Sequence, residues 1–196
     1  MSDRELIELT AATLPEHVKF WLDYNDHFFK HPPPNILQGP YRRMGTLGWA
    51  GLARYELADD EALLLTVENG GARYLGIQAT DDWMIAPSPR KYLSSYNPTQ
   101  TTVNPDGSST YILSVAEPGY ANWIETGGSP RGWLLLRWQG VSADIKSGDE
   151  LVNNVSLVKL KDLPKLLPET LPKISAPARQ AQRAERDAQW LMRVAH

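Results

Sequence analysis

The chain has 196 residues, of which 42% are hydrophobic and 22% charged, with a formal net charge of −3 and no cysteine. That length supports one domain with a real core. The weakly acidic balance, without a basic block, argues against nucleic-acid binding, and the missing thiols exclude disulfides, zinc–thiolate sites and thiol nucleophiles. The N-terminus, MSDRELIELT, is charged and has no apolar signal core. No apolar run approaches the roughly 20 residues that span a bilayer, so the expectation is a cytoplasmic protein with no membrane partner. Seven Trp and eight Tyr stand beside three Phe. Such an excess of polar-tipped aromatics suits either a core rim or a pocket for a flat, amphipathic ligand.

In chain order, Ser2 or Asp3 caps a helix to about Ala12, and Pro15 opens a second. Val18, Trp21, Leu22, Asn25 and Phe28 follow helical spacing until Pro32, Pro33 and Pro34 end it. Residues 35–56, with Gly39, Pro40, Gly45, Gly48 and Gly51, read as irregular. From Glu61 the period becomes that of strands. Glu61–Glu68 and Ala72–Ala79 flank Asn69-Gly70-Gly71, a hairpin signal. Thr99–Val103 and Ser108–Val115 flank a second turn, Asn104-Pro105-Asp106-Gly107. Trp133–Gln139 and Val155–Leu160 bring the strands to at least six. Four prolines punctuate residues 161–177, and Ser175 and Pro177 open a final helix to about Val194, docked by Trp190, Leu191 and Val194. The expected organisation is one domain: a helical and irregular part (1–56), a β core (57–160), then a Pro-rich connector and C-terminal helix (161–196). The fold class is mainly β, an antiparallel β-sandwich or jelly roll with N-terminal helices and a C-terminal helix.

His27 and His31 stand at i, i+4 beside Asp23 and Asp26, a metal-compatible spacing without a defined third ligand, so no metal is expected. There is no G-x-S-x-G elbow, no His among the strands to serve as its base, no dinucleotide fingerprint and no P-loop, so no cofactor is expected. What remains is Tyr, carboxylate, Lys and Arg chemistry. Asp81, Asp82, Trp83, Arg90, Lys91, Tyr92, Tyr96 and Asn97 crowd one loop. The loop Pro118–Gly132, dense in Gly and Pro, holds Asn122, Trp123 and Glu125, and is expected to be ordered and to wall the main pocket. In Trp133–Trp138 alternation puts Trp133, Leu135 and Arg137 on one face and Leu134, Leu136 and Trp138 on the other. Arg137 then either pairs with Glu125 as a structural bridge or holds an anion.

The runs RYLGIQATDDW (Arg73–Trp83), YNPTQTTVNPDGS (Tyr96–Ser108), EPGYANWIETGGSPRGWLLLRW (Glu117–Trp138) and ETLPKISAPARQAQRAERDAQWLMR resemble bacterial proteins of the domain-of-unknown-function 1214 family. That family is similarly marked by a strand ending in Trp, an Asp-Gly turn, a Pro-Gly…Asn-Trp loop and an Arg-bearing strand. The resemblance covers roughly residues 60–190. It implies an antiparallel sandwich or jelly-roll core, and neither an activity nor catalytic residues.

By elimination, the expected function is a cofactor-independent lyase: proton abstraction with C–C or C–O cleavage on an aromatic or phenolic substrate, lignin-derived phenols being a chemical example. Tyr92 or Tyr96 would exchange a proton, Glu125 would act as base, Arg137 would hold the anion and Lys91 would assist. Tyr74, Trp83, Asn122 and Trp123 would bind the substrate. The alternative is a non-enzymatic binding module for an apolar or aromatic ligand or a protein partner, and a third class is an assembly subunit; a homodimer fits any of them. A charged Glu125, Arg137 or Lys91 facing an aromatic-lined cavity discriminates the enzyme from the simple binder.

Overall fold

The chain divides into two units, Met1–Pro33 and Pro34–His196, and the computed structural model describes residues 1–29, 32–45 and 48–194. The first unit is one helix, α1 (Asp3–Phe29), where two were expected. Ser2 and Glu5 form a reciprocal cap: the Glu5 amide donates to Ser2 Oγ at 3.3 Å, and the Ser2 amide donates to the Glu5 carboxylate at 2.6 Å. Pro15 lies inside the helix. It removes one amide donor, while the turns on either side continue in register. His31 and His196 lie outside the described residues.

Among the described residues, the second unit holds nine strands in two sheets. They are β1 (Leu37–Arg42), β2 (Trp49–Glu56), β3 (Glu61–Val67), β4 (Tyr74–Thr80), β5 (Ser95–Tyr96), β6 (Ser109–Ser114), β7 (Trp123–Glu125), β8 (Arg131–Gln139) and β9 (Val152–Lys159). One sheet has the order β1-β2-β8-β4-β5 and the other β7-β6-β3-β9. All pairings are antiparallel except β6 with β7, which run parallel over three residue pairs. The short helix α2 (Leu163–Leu166) and the long helix α3 (Ala176–Val194) follow. The molecule is therefore mainly β, with helices toward both ends of the chain.

Three sequence expectations need correction. Residues 35–56 contain two strands. In β2 the inward Trp49, Gly51, Ala53 and Tyr55 alternate with the partly exposed Ala50, Leu52 and Arg54, but the outward positions are also mostly apolar, so the period was hidden. Asn69-Gly70-Gly71 is no hairpin: β3 and β4 belong to different sheets, and the segment carries the chain across. Both glycines take a positive φ, 60° and 69°, and the indole of Trp138 donates to the Glu68 carbonyl at 2.8 Å to hold this crossing. Residues 99–103 form no strand, although the turn after them is present, with the Asn104 amide donating to the Ser108 carbonyl at 2.8 Å.

One apolar core takes side chains from both sheets: Leu63, Leu65, Tyr111 and Leu113 from one, and Tyr55, Leu75, Ile77, Leu134, Leu136 and Trp138 from the other. A second cluster, Ala62, Leu64 and Ile112 with Leu163, Leu167 and Leu171, covers the opposite face of the smaller sheet with the Pro-rich connector. With Leu134, Leu136 and Trp138 turned to the core, alternation sends Leu135, Arg137 and Gln139 of β8 outward. On β4, Leu75, Ile77 and Ala79 face the core, and Tyr74, Gly76 and Gln78 face outward. That outer face is the floor of the site.

Candidate functional site

A cavity of about 560 Å³ lies on the outer face of β4 and β8 beneath α3. Its floor is Tyr74, Gly76, Gln78, Leu135, Arg137 and Gln139; Pro89 and the segment from Ser95 to Gln100 line one side; Arg186, Gln189, Trp190 and Arg193 of α3 complete it. A neighbouring cavity of about 200 Å³ shares Tyr96, Gln100, Arg186 and Gln189 and adds Glu185.

Among the described residues, the larger cavity is lined by three arginines and no carboxylate. Among the described residues, none of the three has an ion-pair partner. Arg137 donates to the Leu136 carbonyl at 3.0 Å. Burial, and secondarily the positive Arg43, lower its pKa. Arg186 donates to the Ser95 carbonyl at 2.6 Å and sits 5.6 Å from the centre of the Tyr96 ring. Burial lowers its pKa too, against opposing help from Tyr96 and Glu125. Arg193 lies 5.8 Å from the Trp190 ring centre. Arg137 and Arg186 are half-buried and Arg193 is exposed, and positive charge partly withdrawn from water favours an incoming anion.

The mode of attachment of α3 explains this charge. Arg179, Arg183, Arg186, Trp190 and Arg193 recur at helical spacings of four and three residues, so one stripe of the helix faces the protein. Arg179 is 1% exposed. It donates to Glu117 at 2.8 Å, to Gln182 at 2.8 Å and to the Tyr120 carbonyl at 2.5 Å, and it stands 5.3 Å from the Trp123 ring centre. Arg183 pairs with Glu125 at 2.8 Å and lies 5.8 Å from the same ring. Arg90 and Asp187 add an exposed pair at 2.5 Å. The helix is held largely by guanidinium contacts. Leu191 and Val194, expected to dock it, are 45% and 57% exposed.

The nine sequence candidates separate. Tyr74, Tyr96 and Arg137 line the cavity. Glu125 is buried and bound to Arg183, neither free in the cavity nor paired with Arg137. Trp123 is buried, and its indole donates to the Ser114 carbonyl at 3.2 Å. Asn122 has a backbone role: its φ is 54°, and its carboxamide bridges Thr102 and Thr110 at 2.7–2.9 Å. Lys91 is exposed on a turn with Tyr92, their amides both donating to the Ser88 carbonyl at 3.0 Å. Trp83 is 54% exposed on the loop folded around Asp81. The segment Pro118–Gly132 is ordered and includes β7, but none of its residues lines the cavity; it meets α3 through Trp123 and Glu125 instead.

Tyr96 is 6% exposed, and its hydroxyl has no hydrogen bond of good geometry. Burial pushes its pKa up to about 12, opposed by the nearby Arg179 and Arg186. It is a neutral phenol at physiological pH, able to donate a proton or hydrogen bond. Among the described residues, no group of three His, Cys, Asp or Glu side chains is arranged to hold a metal. No described helix is long and apolar enough to cross a membrane.

The residues missed from sequence include Arg186, Arg193, Gln78, Gln100, Gln139, Gln189 and, as a cavity residue, Trp190. The available signal was the arginine stripe of α3, which reads as a solvated charged face until its spacing is counted.

No family model and no curated protein matches the chain. Solved structures of similar fold include an uncharacterized protein from Burkholderia cenocepacia, with a TM-score of 0.61 and 25% identity over 74% of this chain and 40% of that one. A protein from Vibrio parahaemolyticus aligns with a TM-score of 0.42 and 16% identity over 56% of this chain and 31% of that one. The chain is thus similar in fold to the first of these and spans about two-fifths of its length.

Proposed function

We propose that the chain binds a small organic anion, with a ring or other apolar part, in the cavity beneath α3. One observation carries this reading: among the described residues, three arginines line the cavity and no carboxylate does. An anion there gains charge-assisted hydrogen bonds from the half-buried Arg137 and Arg186, beside the exposed Arg193. Tyr74 and Trp190 supply the apolar contact expected of a small-molecule site. The test is thermal shift with aromatic acids and phenols on the native chain and on Arg137→Gln. The expected result is a ligand-dependent rise in melting temperature for acids that is lost in the variant. Equal shifts in both proteins would contradict the reading.

A second reading keeps the lyase. The observation favouring it is the buried Tyr96 hydroxyl, without a hydrogen bond of good geometry and beside the cationic cavity. Its raised pKa suits a proton donor and not the general base: a substrate bound as its phenolate at Arg137 or Arg186 would expel the leaving group with its own electron pair, Tyr96 would protonate that group, and water would return the proton to Tyr96. Glu125, engaged by Arg183, has no direct part in that scheme. Tyr96→Phe would then abolish turnover while leaving ligand affinity within about threefold.

We read the two sheets as the halves of a β-sandwich, supported by the apolar core they share. Membership of the domain-of-unknown-function 1214 family is proposed on the four sequence runs, and a cytoplasmic location on the lack of cysteine.

A further inference from the structure

We infer that the anion is an acidic sugar, a hydroxyl-rich ring bearing a carboxylate or phosphate. This inference rests on the anion-binding reading and narrows it. It comes from the cavity floor. The register of β4 against β8 sets Tyr74 opposite Gln139, Gly76 opposite Arg137 and Gln78 opposite Leu135. Directly opposed side chains start ~5 Å apart and diagonal ones ~7–8 Å, so the six positions span about one sugar ring and its substituents.

Gly76 gives the floor its shape. A Cβ there would fall 2.6 Å from the Tyr74 hydroxyl and 2.8–2.9 Å from its ring carbons. The tyrosine ring therefore lies over the glycine, beside the strand position of Arg137, and serves as a flat apolar platform. The C–H face of a sugar ring and an aromatic ring both stack on such a surface.

The carboxamides choose between them. Five line the cavity: Gln78, Asn97, Gln100, Gln139 and Gln189. Asn97 and Gln100 are engaged in their own turn, and Gln189 donates to Glu185. Among the described residues, the Gln78 and Gln139 side chains on the floor make no hydrogen bond. Each carboxamide both donates and accepts, as a sugar hydroxyl does. An aromatic acid would satisfy Arg137 and the platform but cover the half-buried Gln78 without partnering it, which costs binding energy, and would give the exposed Gln139 nothing to bond. A sugar acid satisfies all three features.

The test is isothermal titration of the full chain with glucuronate, galacturonate and glucose 6-phosphate, against glucose and 4-hydroxybenzoate. Expected is binding of at least one anionic sugar, with carboxylate and phosphate arms separating the two sources of charge. Arg137→Gln should weaken it at least tenfold. Gln78→Leu and Gln139→Leu should each weaken it about 3–10-fold while sparing 4-hydroxybenzoate, and unchanged melting of the ligand-free variants controls for folding. Arg137-dependent binding of 4-hydroxybenzoate with no anionic sugar bound would overturn this inference and leave the anion-binding reading standing. Binding of neither class would overturn both, and glucose binding as tightly as glucuronate would remove the role assigned to charge.

Discussion

Arg179 is where the attachment of α3 can be tested most sharply. Arg179→Met keeps an unbranched stem and removes the guanidinium, and with it the donors to Glu117, Gln182 and the Tyr120 carbonyl. Breaking a buried ion pair by deleting one partner costs about 3–5 kcal/mol. Here the Glu117 side chain is 37% exposed, so water re-solvates part of it, and the expected loss is about 2–4 kcal/mol. For a unit of this size that lowers the melting temperature by roughly 4–16 °C. Arg179→Lys should recover less than half of the loss, because one ammonium cannot serve three divergent acceptors. Urea unfolding followed by tryptophan fluorescence measures the cost, and hydrogen exchange along α3 shows whether the loss is local to the helix. A Met variant within about 1 kcal/mol of native, with protected α3 amides, would refute the claim that guanidinium contacts hold the helix.

Trp123 is 4% exposed, and Trp123→Ala should cost about 3–5 kcal/mol in the same unfolding assay. Gly132→Ala should unfold the chain or cost several kcal/mol, since a Cβ would lie 2.0 Å from the Thr80 carbonyl oxygen and 2.7 Å from the Tyr55 hydroxyl that bonds that oxygen; calorimetry checks it. Stability should fall above about pH 10. Burial raises Tyr96 from its ordinary 10.0 to about 12 and raises Tyr55 and Tyr111 as well. The folded state therefore holds these protons more tightly than the unfolded one. The contribution is fully present below the unfolded pKa and is lost as pH rises through the folded value. For Tyr96 the window is about pH 10–12 and the loss about 2–3 kcal/mol, and Tyr96→Phe should flatten that part of a melting-against-pH curve.

The period-two alternation of β4 and β8 groups Leu75 and Ile77 apart from Tyr74 and Gln78, and Leu134 and Leu136 apart from Leu135 and Arg137, but both faces of β8 are mostly apolar and only the packing shows which one is the core. The final helix and its start were also legible, from Ser175, Pro177 and the change of period. The sheet topology was not. Asn69-Gly70-Gly71 supplies the same positive-φ residues to a crossing between sheets as to a hairpin, and local sequence cannot tell which strand will pair with β3. Residues 99–103 look like a strand, but the Thr102 backbone pairs with the Asn122 side chain instead of a neighbouring strand. At the site, Arg137 is legible from its place on an alternating strand, and Tyr96 as one of the titratable residues crowding the loop from Asp81 to Asn97. Arg186 and Arg193 were missed because arginine on a C-terminal helix reads as a solvated face, and only the partner surface reveals that Arg179, Arg183 and Arg186 turn toward the protein, with the exposed Arg193 at the cavity's edge. Glu125 was misjudged for the same reason: its partner, Arg183, lies on that helix, 58 residues away in sequence.

The central claim is that the arginines beneath α3 receive an organic anion. The most direct measurement is nuclear magnetic resonance of the arginine Nε–H groups, assigned by Arg→Lys substitution and followed during titration with glucuronate and with 4-hydroxybenzoate. Saturable shifts of Arg137 and Arg186, with Arg54 unmoved in its pair with Glu56, are the predicted result. Unmoved Arg137 and Arg186 signals at concentrations that saturate binding would contradict it.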